Sequence, residues 1–248
     1  ISRPTPTVCS LSCDELLGFD VGRINPDSTY AQRFPTQLGD DGVRMPTLAD
    51  VFALVAKRGD YKVRFNIETK LSPIFPDEAL SPDAFARALL DVIETAGVAH
   101  RVTIQSFDWR TLRITEGLNA EVALSFLSTQ QPGEDTIQSA ARSPWTDGAQ
   151  YSDHGSVPAM IAALSRKHTR DPHVKNTPNR RIIWSPNYLD LSASSIRQAH
   201  ALDIEVLPWT INDPADMRRF IGLGVDGLIT DYPDRGRAVL EAMGMQLP

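Results

Sequence analysis

The sequence lacks three features that mark large classes of proteins. No apolar run reaches about 18 residues, the length that a membrane-spanning helix needs. Basic residues are not in excess, because 25 Lys and Arg stand against 31 Asp and Glu and give a net charge of −6. This balance argues against a broad nucleic-acid surface. No G-x-G-x-x-G turn occurs, so a dinucleotide-binding sheet would lack its phosphate-binding signature.

Cysteine is also scarce, with only Cys9 and Cys13, four positions apart. A structural zinc site needs about four ligands, and no second Cys or His pair completes one. The two residues are compatible with a local disulfide or with two free thiols, and so they do not indicate a cellular compartment. The first residue is Ile1, and we expect either a removed leader or a fragment.

The pattern that is present is an alternation of short β-branched runs with longer helical segments. Buried parallel strands are short and apolar, and the segments between them have the spacing of amphipathic helices. The predicted strands are 62–67, 102–105, 122–127, 181–184, 204–208 and 227–230. The predicted helices are 11–18, 47–58, 82–96, 109–117, 157–167, 193–201, 214–223 and 234–243.

This alternation predicts an α/β fold with a parallel sheet. Six predicted units are compatible with a (β/α)8 barrel of the TIM type, of which about six of the eight β/α units are present, or with an open doubly wound sheet, although such a sheet should carry a Gly-rich turn after an early strand. The predicted organisation is a single domain over 1–248, with an irregular lead-in over 1–44 and β/α units over 45–248.

Polar residues follow the first predicted strand, at the strand end where barrels place their active groups. Strand alternation puts Asn66, Glu68 and Lys70 on one side, with Glu68 and Lys70 at the rim. A carboxylate suits a hard divalent metal and an ammonium suits a phosphate oxygen. The alternative is a plain salt bridge between Glu68 and Lys70.

Five sequence blocks extend, in order, over nearly the whole chain. They are MPTLADVF (45–52), FNIETK (65–70), TIQSFDWRTL (103–112), PWTIN (208–212) and GVDGLITDYP (224–233). Together they resemble the glycerophosphodiester phosphodiesterase family, and the flanking FDVGRINP (19–26) is similar to its larger bacterial, often periplasmic, branch.

The resemblance implies a barrel enzyme that hydrolyses glycerophosphodiesters, such as glycerophosphocholine, to sn-glycerol 3-phosphate and an alcohol. It implies a divalent metal, Mg²⁺ or Ca²⁺, with Glu68 as a ligand. It further implies that Lys70 contacts the phosphate and that Trp209 lines the glycerol pocket. Gln105 and Ser106 match the strand end of the third block, and we expect them to support the site.

The chain departs from the family at its start, where the His-Arg, Glu-x-Asp and His-Asp motifs are absent. These motifs supply the acid and base histidines, so the catalytic residues are unknown and we expect weak or no activity from this chain by itself. The histidine nearest the predicted rim is His154, which follows a strand-end loop. The other histidines are predicted to lie at the surface: His100, His168, His173 and His200.

Several aromatic and acidic residues have two interpretations. Phe107 and Phe126 could each cover the pocket or fill the barrel interior. For Phe126 we favour a place in the core. Trp184 and Tyr188 could line the alcohol side of the substrate. Asp231 could approach the metal, but its position just before a predicted helix favours a helix cap. Trp109 is predicted to pack in the core, and the basic stretch 167–180 is predicted to be a surface insertion, with a phosphate-binding patch as the alternative.

Two other functions remain open from the residues. One is a non-catalytic barrel remnant that binds glycerol phosphate. The other is a different barrel enzyme in which Lys70 forms a Schiff base, although the carboxylate two positions earlier disfavours it. The predicted partner is a small-molecule glycerophosphodiester, with no nucleic acid, and the oligomeric state is unknown. We expect a periplasmic or secreted location, and otherwise a cytoplasmic one.

Overall fold

The computed structural model describes residues 6–168 and 180–247. His173 and most of the basic stretch 167–180 lie outside the described residues, as does the side chain of His168. Within the described ranges, none of the helices combines the length and apolar character that a bilayer crossing requires.

The predicted helices are confirmed, with bounds that differ from the prediction by one or two residues. A short additional helix precedes the fifth predicted one. The α-helices are α1 (Cys13–Leu17), α2 (Leu48–Lys57), α3 (Pro82–Thr95), α4 (Trp109–Leu118), α5 (Tyr151–His154), α6 (Val157–His168), α7 (Ala193–His200), α8 (Pro214–Gly222) and α9 (Pro233–Ala242).

Local sequence explains where these helices begin. The Ser81 side chain accepts a hydrogen bond from a first-turn backbone N–H of α3, and Pro82 follows at a position where a missing N–H has no cost. Asp213 and Pro214 repeat this arrangement at α8. Each cap satisfies donors that the helix itself leaves unpaired.

The sheet of the described residues has five parallel strands in sequential order, β1 to β5. Sequential parallel order, with a helix after each strand, is the order of a β/α barrel, and the α/β prediction is confirmed. The strands are β1 (Phe65–Glu68), β2 (Val102–Ser106), β3 (Ala123–Ser128), β4 (Ile182–Pro186) and β5 (Ile204–Val206).

The prediction of a sixth strand over 227–230 is wrong, because the described structure has no strand there. The backbone of this segment runs beside the end of β5 and the residues that follow, where Asp226 N–H donates to Val206 O at 3.0 Å and Ile229 N–H donates to Pro208 O at 3.0 Å. Pro208 has no N–H, so it cannot donate the bond that would continue a regular ladder. The segment therefore stays extended without becoming a strand.

The two faces of the sheet differ in chemistry. One face packs against helices: Trp109 of α4 contacts Phe126 edge-on, with ring centroids 5.3 Å apart, and Phe126 is only 5% exposed. The predictions that Phe126 and Trp109 belong to the core are confirmed. The helix-facing side also buries Ile104, Leu124, Trp184, Ile204 and Val206.

The opposite face carries mostly polar side chains. The register aligns Glu68 with Gln105, and Gln105 with Ser125, across β1, β2 and β3. Residues paired in adjacent parallel strands point to the same face. We call Glu68, Gln105 and Ser125 the polar row.

The chain divides into two compact units, and the prediction of a single domain stays a prediction. The second unit, Lys62–Pro76 with the residues from Leu80 onwards, contains the sheet. The first comprises the residues up to Tyr61, together with Asp77–Ala79. In the first unit, the Asp20 carboxylate accepts hydrogen bonds from two backbone N–H groups, and Arg23 pairs with Asp41 at 2.8 Å. Cys9 and Cys13 are exposed free thiols.

Candidate active site at the carboxyl ends of the strands

Glu68 and Lys70 lie together at the carboxyl end of β1, as alternation predicts. Lys70 Nζ is 3.2 Å from Glu68 Oε1. The Lys70 side chain is 83% exposed, whereas the Glu68 side chain is 25% exposed. The two residues therefore form the predicted salt bridge, and the ammonium group also faces solvent, where an anion can reach it. This exposure disfavours a Schiff-base lysine, which requires a desolvated amine.

Backbone contacts with β2 position Lys70. Thr69 N–H donates to Gln105 O at 2.9 Å, and Thr69 O accepts a hydrogen bond from the Ser106 hydroxyl at 3.0 Å. Ser106 is fully buried and also accepts from Asp108 N–H. These bonds fix the chain immediately before Lys70, so Ser106 has the supporting position that the sequence suggested.

Gln105 is oriented by a neighbour on β1. Asn66 Nδ2 donates to Gln105 Oε1 at 2.8 Å. Because the oxygen of the Gln105 amide is bound to Asn66, the nitrogen at the other end of the amide is directed away from Asn66. Gln105 thus presents a hydrogen-bond donor on the face that also carries Glu68.

Trp209 lies just after β5 and is held at both its ring and its backbone. Its indole Nε1 donates to Ser185 O at 2.8 Å. Its backbone N–H donates to Pro186 O at 3.0 Å, and its carbonyl accepts from Tyr188 N–H at 2.8 Å. The half-buried ring is therefore fixed in orientation with part of its surface open.

Phe107 joins Trp209 to the end of β2. The two rings meet edge to face with centroids 5.4 Å apart. The ends of β2 and β5 would be about 14 Å apart in a flat sheet with strands about 4.8 Å apart. Contact between these side chains therefore shows that the sheet curves, as a barrel wall does, and that Phe107 lies at the mouth of the curve.

Trp145 is the third aromatic ring of this cluster, and sequence reasoning missed it. Its ring contacts Phe107 edge-on, with centroids 6.4 Å apart. Trp145 stands in the long connection between β3 and α5, which has no periodic pattern, so the sequence held no signal for this contact. Trp145 O accepts a hydrogen bond from Trp109 N–H at 2.9 Å, which ties that connection to the start of α4.

An ion pair between the buried Asp108 and the partly exposed Arg110 stabilises the same helix start. Asp108 is fully buried and caps α4, accepting from Arg110 N–H and from the Arg110 guanidinium. The hydrogen bond to the Asp108 side chain raises the pKa of Arg110 above its ordinary value. Because both charges are hydrogen-bonded, Asp108 is a structural group and is not available to substrate.

Three predicted lining or capping residues have other roles. Trp184 is buried on the helix-facing side, where its Nε1 donates to Ser128 Oγ at 2.9 Å. Tyr188 packs edge-on against Phe220 of α8. Asp231 is not the cap of α9, because the helix begins after Tyr232; its carboxylate accepts from Asn212 Nδ2 at 2.9 Å.

The described histidines show no contact with the Glu68–Lys70 pair. His154 lies in α5 and is half-buried, just before Gly155 ends that helix in a left-handed conformation. His100 is exposed between α3 and β2. His200 is exposed and its Nε2 lies 2.9 Å from Asp226 Oδ2. The surface predictions for His100 and His200 are confirmed.

The donors of this site do not by themselves fit a divalent metal. Over residues 6–168 and 180–247, no group of three or more His, Cys, Asp or Glu side chains lies close enough to hold a metal ion. Glu68 offers one buried carboxylate oxygen, Oε1. Ca²⁺ takes six to eight oxygen ligands, and Mg²⁺ an octahedral set.

Comparison with known proteins identifies the family. The profile of the glycerophosphoryl diester phosphodiesterase family matches residues 6–235. The chain therefore belongs to this family, whose members are phosphodiesterases. The predicted resemblance is thereby confirmed.

Curated relatives show how much of a family member the chain represents. A glycerophosphodiester phosphodiesterase of Bacillus subtilis (strain 168) is 23% identical over 219 residues, which cover 87% of this chain and 61% of that protein. The enzyme of the same name from Caldanaerobacter subterraneus subsp. tengcongensis is 25% identical, over 78% of this chain and 60% of that protein. The chain thus spans about three fifths of the length of these relatives.

Solved structures agree on the fold. A protein of Silicibacter pomeroyi DSS-3, assigned as a glycerophosphoryl diester phosphodiesterase, superposes with a TM-score of 0.78 at 26% identity, covering all of this chain and 74% of the other. A phosphodiesterase of Oleispira antarctica superposes with a TM-score of 0.61 at 15% identity, covering 94% of this chain and 72% of the other. The fold is that of the family, a β/α barrel of the TIM type.

Proposed function

We propose that the protein hydrolyses glycerophosphodiesters to sn-glycerol 3-phosphate and an alcohol, and that this chain forms the substrate-binding wall of the site. The main support is the Lys70 ammonium, held 3.2 Å from Glu68 at the end of β1 in a chain of this family. The related Oleispira antarctica structure contains sn-glycerol 3-phosphate as product, which makes this compound the natural test ligand.

Lys70 binds the phosphate in this proposal. An ammonium group has three donors and behaves as a point charge toward phosphate oxygens. The 83% exposure of the Lys70 side chain lets its ammonium group turn from Glu68 to an incoming anion while it stays in contact with solvent. During hydrolysis the same charge would stabilise the negative charge that develops on the phosphoryl oxygens.

Trp209 supports the glycerol moiety. Its indole N–H is already bonded to Ser185 O, so the ring can offer substrate only its apolar surface. A fixed aromatic surface packs well against the carbon chain of glycerol while leaving the hydroxyl groups free. Phe107 extends this surface, because its ring lies at 88° to that of Trp209.

The role of a metal stays a prediction. In this proposal Glu68 is a ligand of a divalent cation, Mg²⁺ or Ca²⁺, but among the described residues it is not part of any group of three or more His, Cys, Asp or Glu side chains that could hold one. No step of the reaction is therefore assigned to a cation, and no proton transfer to a histidine. The periplasmic or secreted location also stays a prediction.

A second candidate function for the chain by itself is binding without turnover, because no histidine of the described residues is placed to act as a general acid or base at this site. General acid–base catalysis requires a group within hydrogen-bond reach of the leaving oxygen, and none of the described histidines contacts Glu68 or Lys70. The 248-residue chain should then bind sn-glycerol 3-phosphate and hydrolyse glycerophosphocholine weakly or not at all. Robust hydrolysis that Glu68→Gln abolishes would contradict this expectation.

The test of the proposed function is calorimetric binding of sn-glycerol 3-phosphate to the chain and to Lys70→Ala. We expect an affinity loss of about tenfold or more, the usual effect of losing a charged hydrogen bond. Lys57→Ala is the matched control, since Lys57 is an exposed lysine at the end of α2. Equal affinity in Lys70→Ala and Lys57→Ala, or no binding to the unmodified chain, would contradict the proposal.

A further inference from the structure

Exposed apolar side chains of the second compact unit collect at the carboxyl ends of the strands. Among the described residues of this unit, the most exposed large apolar side chains are Phe75 and Leu189 at 60%, Ile74 at 52% and Leu80 at 47%. Ile74, Phe75 and Leu80 lie in the connection from β1 to α3, and Leu189 lies shortly after β4. We call these four residues the apolar rim. Single exposed apolar residues are common, but several of them at one end of a fold indicate an interaction surface.

Local hydrogen bonds fix the tip of the connection from β1 to α3. The Ser72 hydroxyl accepts from the backbone N–H groups of Ile74 and Phe75, each at 3.2 Å. A serine hydroxyl that bonds the backbone two or three residues further on stabilises a turn. Leu71 is buried at the start of this connection, and the Ser81 side chain caps α3 at its end. Ile74 and Phe75 are therefore exposed on an ordered turn between two anchored ends.

The opposite end of the sheet has charged pairs instead. Arg181, just before β4, bonds Glu205 of β5 through two guanidinium nitrogens. His200 Nε2, at the end of α7, lies 2.9 Å from Asp226 Oδ2. Strongly exposed apolar groups are thus not a general feature of the surface of this unit, and the two ends of the sheet differ in polarity.

The position and charge of the apolar rim favour a zwitterionic lipid surface as its partner. Apolar side chains that project from a folded domain can insert at the boundary of head groups and acyl chains without spanning the bilayer. An anionic surface is disfavoured, because the chain has a net charge of −6 and this connection contains Asp77 and Glu78. Lys70 lies just before the same connection, so a protein docked by the apolar rim would turn its candidate active site toward the lipid.

We propose that the apolar rim docks the protein on the surface of a zwitterionic phospholipid, with Ile74 and Phe75 as the main contacts. The inference goes beyond the proposed function, because it concerns a surface outside the groups that bind phosphate and glycerol. Complete deacylation of a phospholipid yields a glycerophosphodiester, so a docked protein would meet this compound where it is formed.

Flotation with phosphatidylcholine vesicles tests the inference. We expect the unmodified chain to bind these vesicles. The double substitution Ile74→Ser and Phe75→Ser should lower the partition coefficient about tenfold or more, because the burial of two large apolar side chains is lost. Phe75→Trp should retain binding, since tryptophan is favoured at membrane interfaces.

Leu38→Ser is the matched control, because Leu38 is 91% exposed but belongs to the first compact unit. It should leave vesicle binding unchanged. Lys70→Ala should bind vesicles as the unmodified chain does, so the vesicle result and the test of the proposed function are independent. The double variant should keep its melting temperature and its affinity for sn-glycerol 3-phosphate, because both substituted side chains are exposed.

Four outcomes would overturn the inference. The first is no binding of the unmodified chain to phosphatidylcholine vesicles, and the second is an equal loss of binding in Leu38→Ser. The third is binding that requires phosphatidylglycerol in the vesicles, which would assign the contact to charge. The fourth is a change from dimer to monomer in the double variant, measured by light scattering, with no vesicle binding by either form. That result would make the apolar rim an interface between two copies of the chain.

Discussion

The two faces of the five-stranded sheet share one backbone and have opposite chemistry. On the helix-facing side, Ile104 and Leu124 are fully buried and Phe126 packs on Trp109. On the other side, the polar row has two buried oxygens, Glu68 Oε1 and Ser125 Oγ, that accept no hydrogen bond from the described residues. Successive side chains of a strand alternate between faces, so a period of two residues is enough to separate the part that stabilises the sheet from the part that can bind a ligand.

The comparison also shows what this separation costs. An unpaired buried polar atom is unfavourable by about 1–3 kcal/mol, whereas burial of a large apolar side chain contributes about 1.5–3 kcal/mol. The unpaired oxygens of the polar face therefore lower the free energy of unfolding, and such a loss of stability is common at binding sites. Substitutions on the two faces should have opposite consequences for stability and for affinity.

The largest expected effect is on the apolar face. Phe126→Ala should lower the free energy of unfolding by about 3–5 kcal/mol, because it removes a buried ring and leaves a cavity against Trp109. Denaturant unfolding measures this change. Phe126→Leu keeps most of the volume and should have a clearly smaller effect. A loss under about 1 kcal/mol for Phe126→Ala would mean that this face does not carry the stability of the sheet.

Two tryptophans allow a direct test of the two faces, because each donates its indole N–H within the protein. Trp184 lies on the apolar face and bonds Ser128 Oγ, whereas Trp209 lies at the site and bonds Ser185 O. Both Trp→Phe substitutions should reduce stability by about 1–2 kcal/mol through the lost hydrogen bond and contacts. Only Trp209→Phe should also weaken sn-glycerol 3-phosphate, by several-fold. Calorimetry and thermal unfolding on both variants separate the two roles, and an equal affinity loss in Trp184→Phe would contradict the assignment.

The smallest expected effect is on the polar face itself. Ser125→Ala should change the free energy of unfolding by less than about 0.5 kcal/mol, or raise it, because the buried hydroxyl makes no hydrogen bond with the described part of the chain. Chemical denaturation of the unliganded chain provides the measurement. A destabilisation above 1 kcal/mol would reveal a structural bond at Ser125 and would weaken the contrast between the faces.

Most elements of the fold could be predicted because their signals are local. Apolar spacing and cap residues such as Ser81 and Asp213 lie within a few positions of the helix they define. Alternation placed Asn66 and Glu68 on one face for the same reason. The segment 227–230 has the composition of a strand, but its pairing depends on Pro208, a residue about twenty positions away that has no N–H to donate.

The parts of the site that sequence reasoning missed depend on distant contacts. Trp145 has no periodic signal, and it reaches Phe107 only because Trp109 N–H holds the connection after β3. Asp231 follows the pattern of a cap, yet its carboxylate bonds Asn212 from another segment. In each case a partner far along the chain decided the role of the residue.

The order of strands and helices, the family, and the side of β1 on which Glu68 lies follow from the sequence, because periodicity and motif order are properties of neighbouring residues. The contact between Phe107 and Trp209, and the alignment of Gln105 with Glu68 and Ser125, come from the tertiary structure. Those contacts require the sheet to curve and its strands to align in register, and both depend on pairing between segments far apart in the chain.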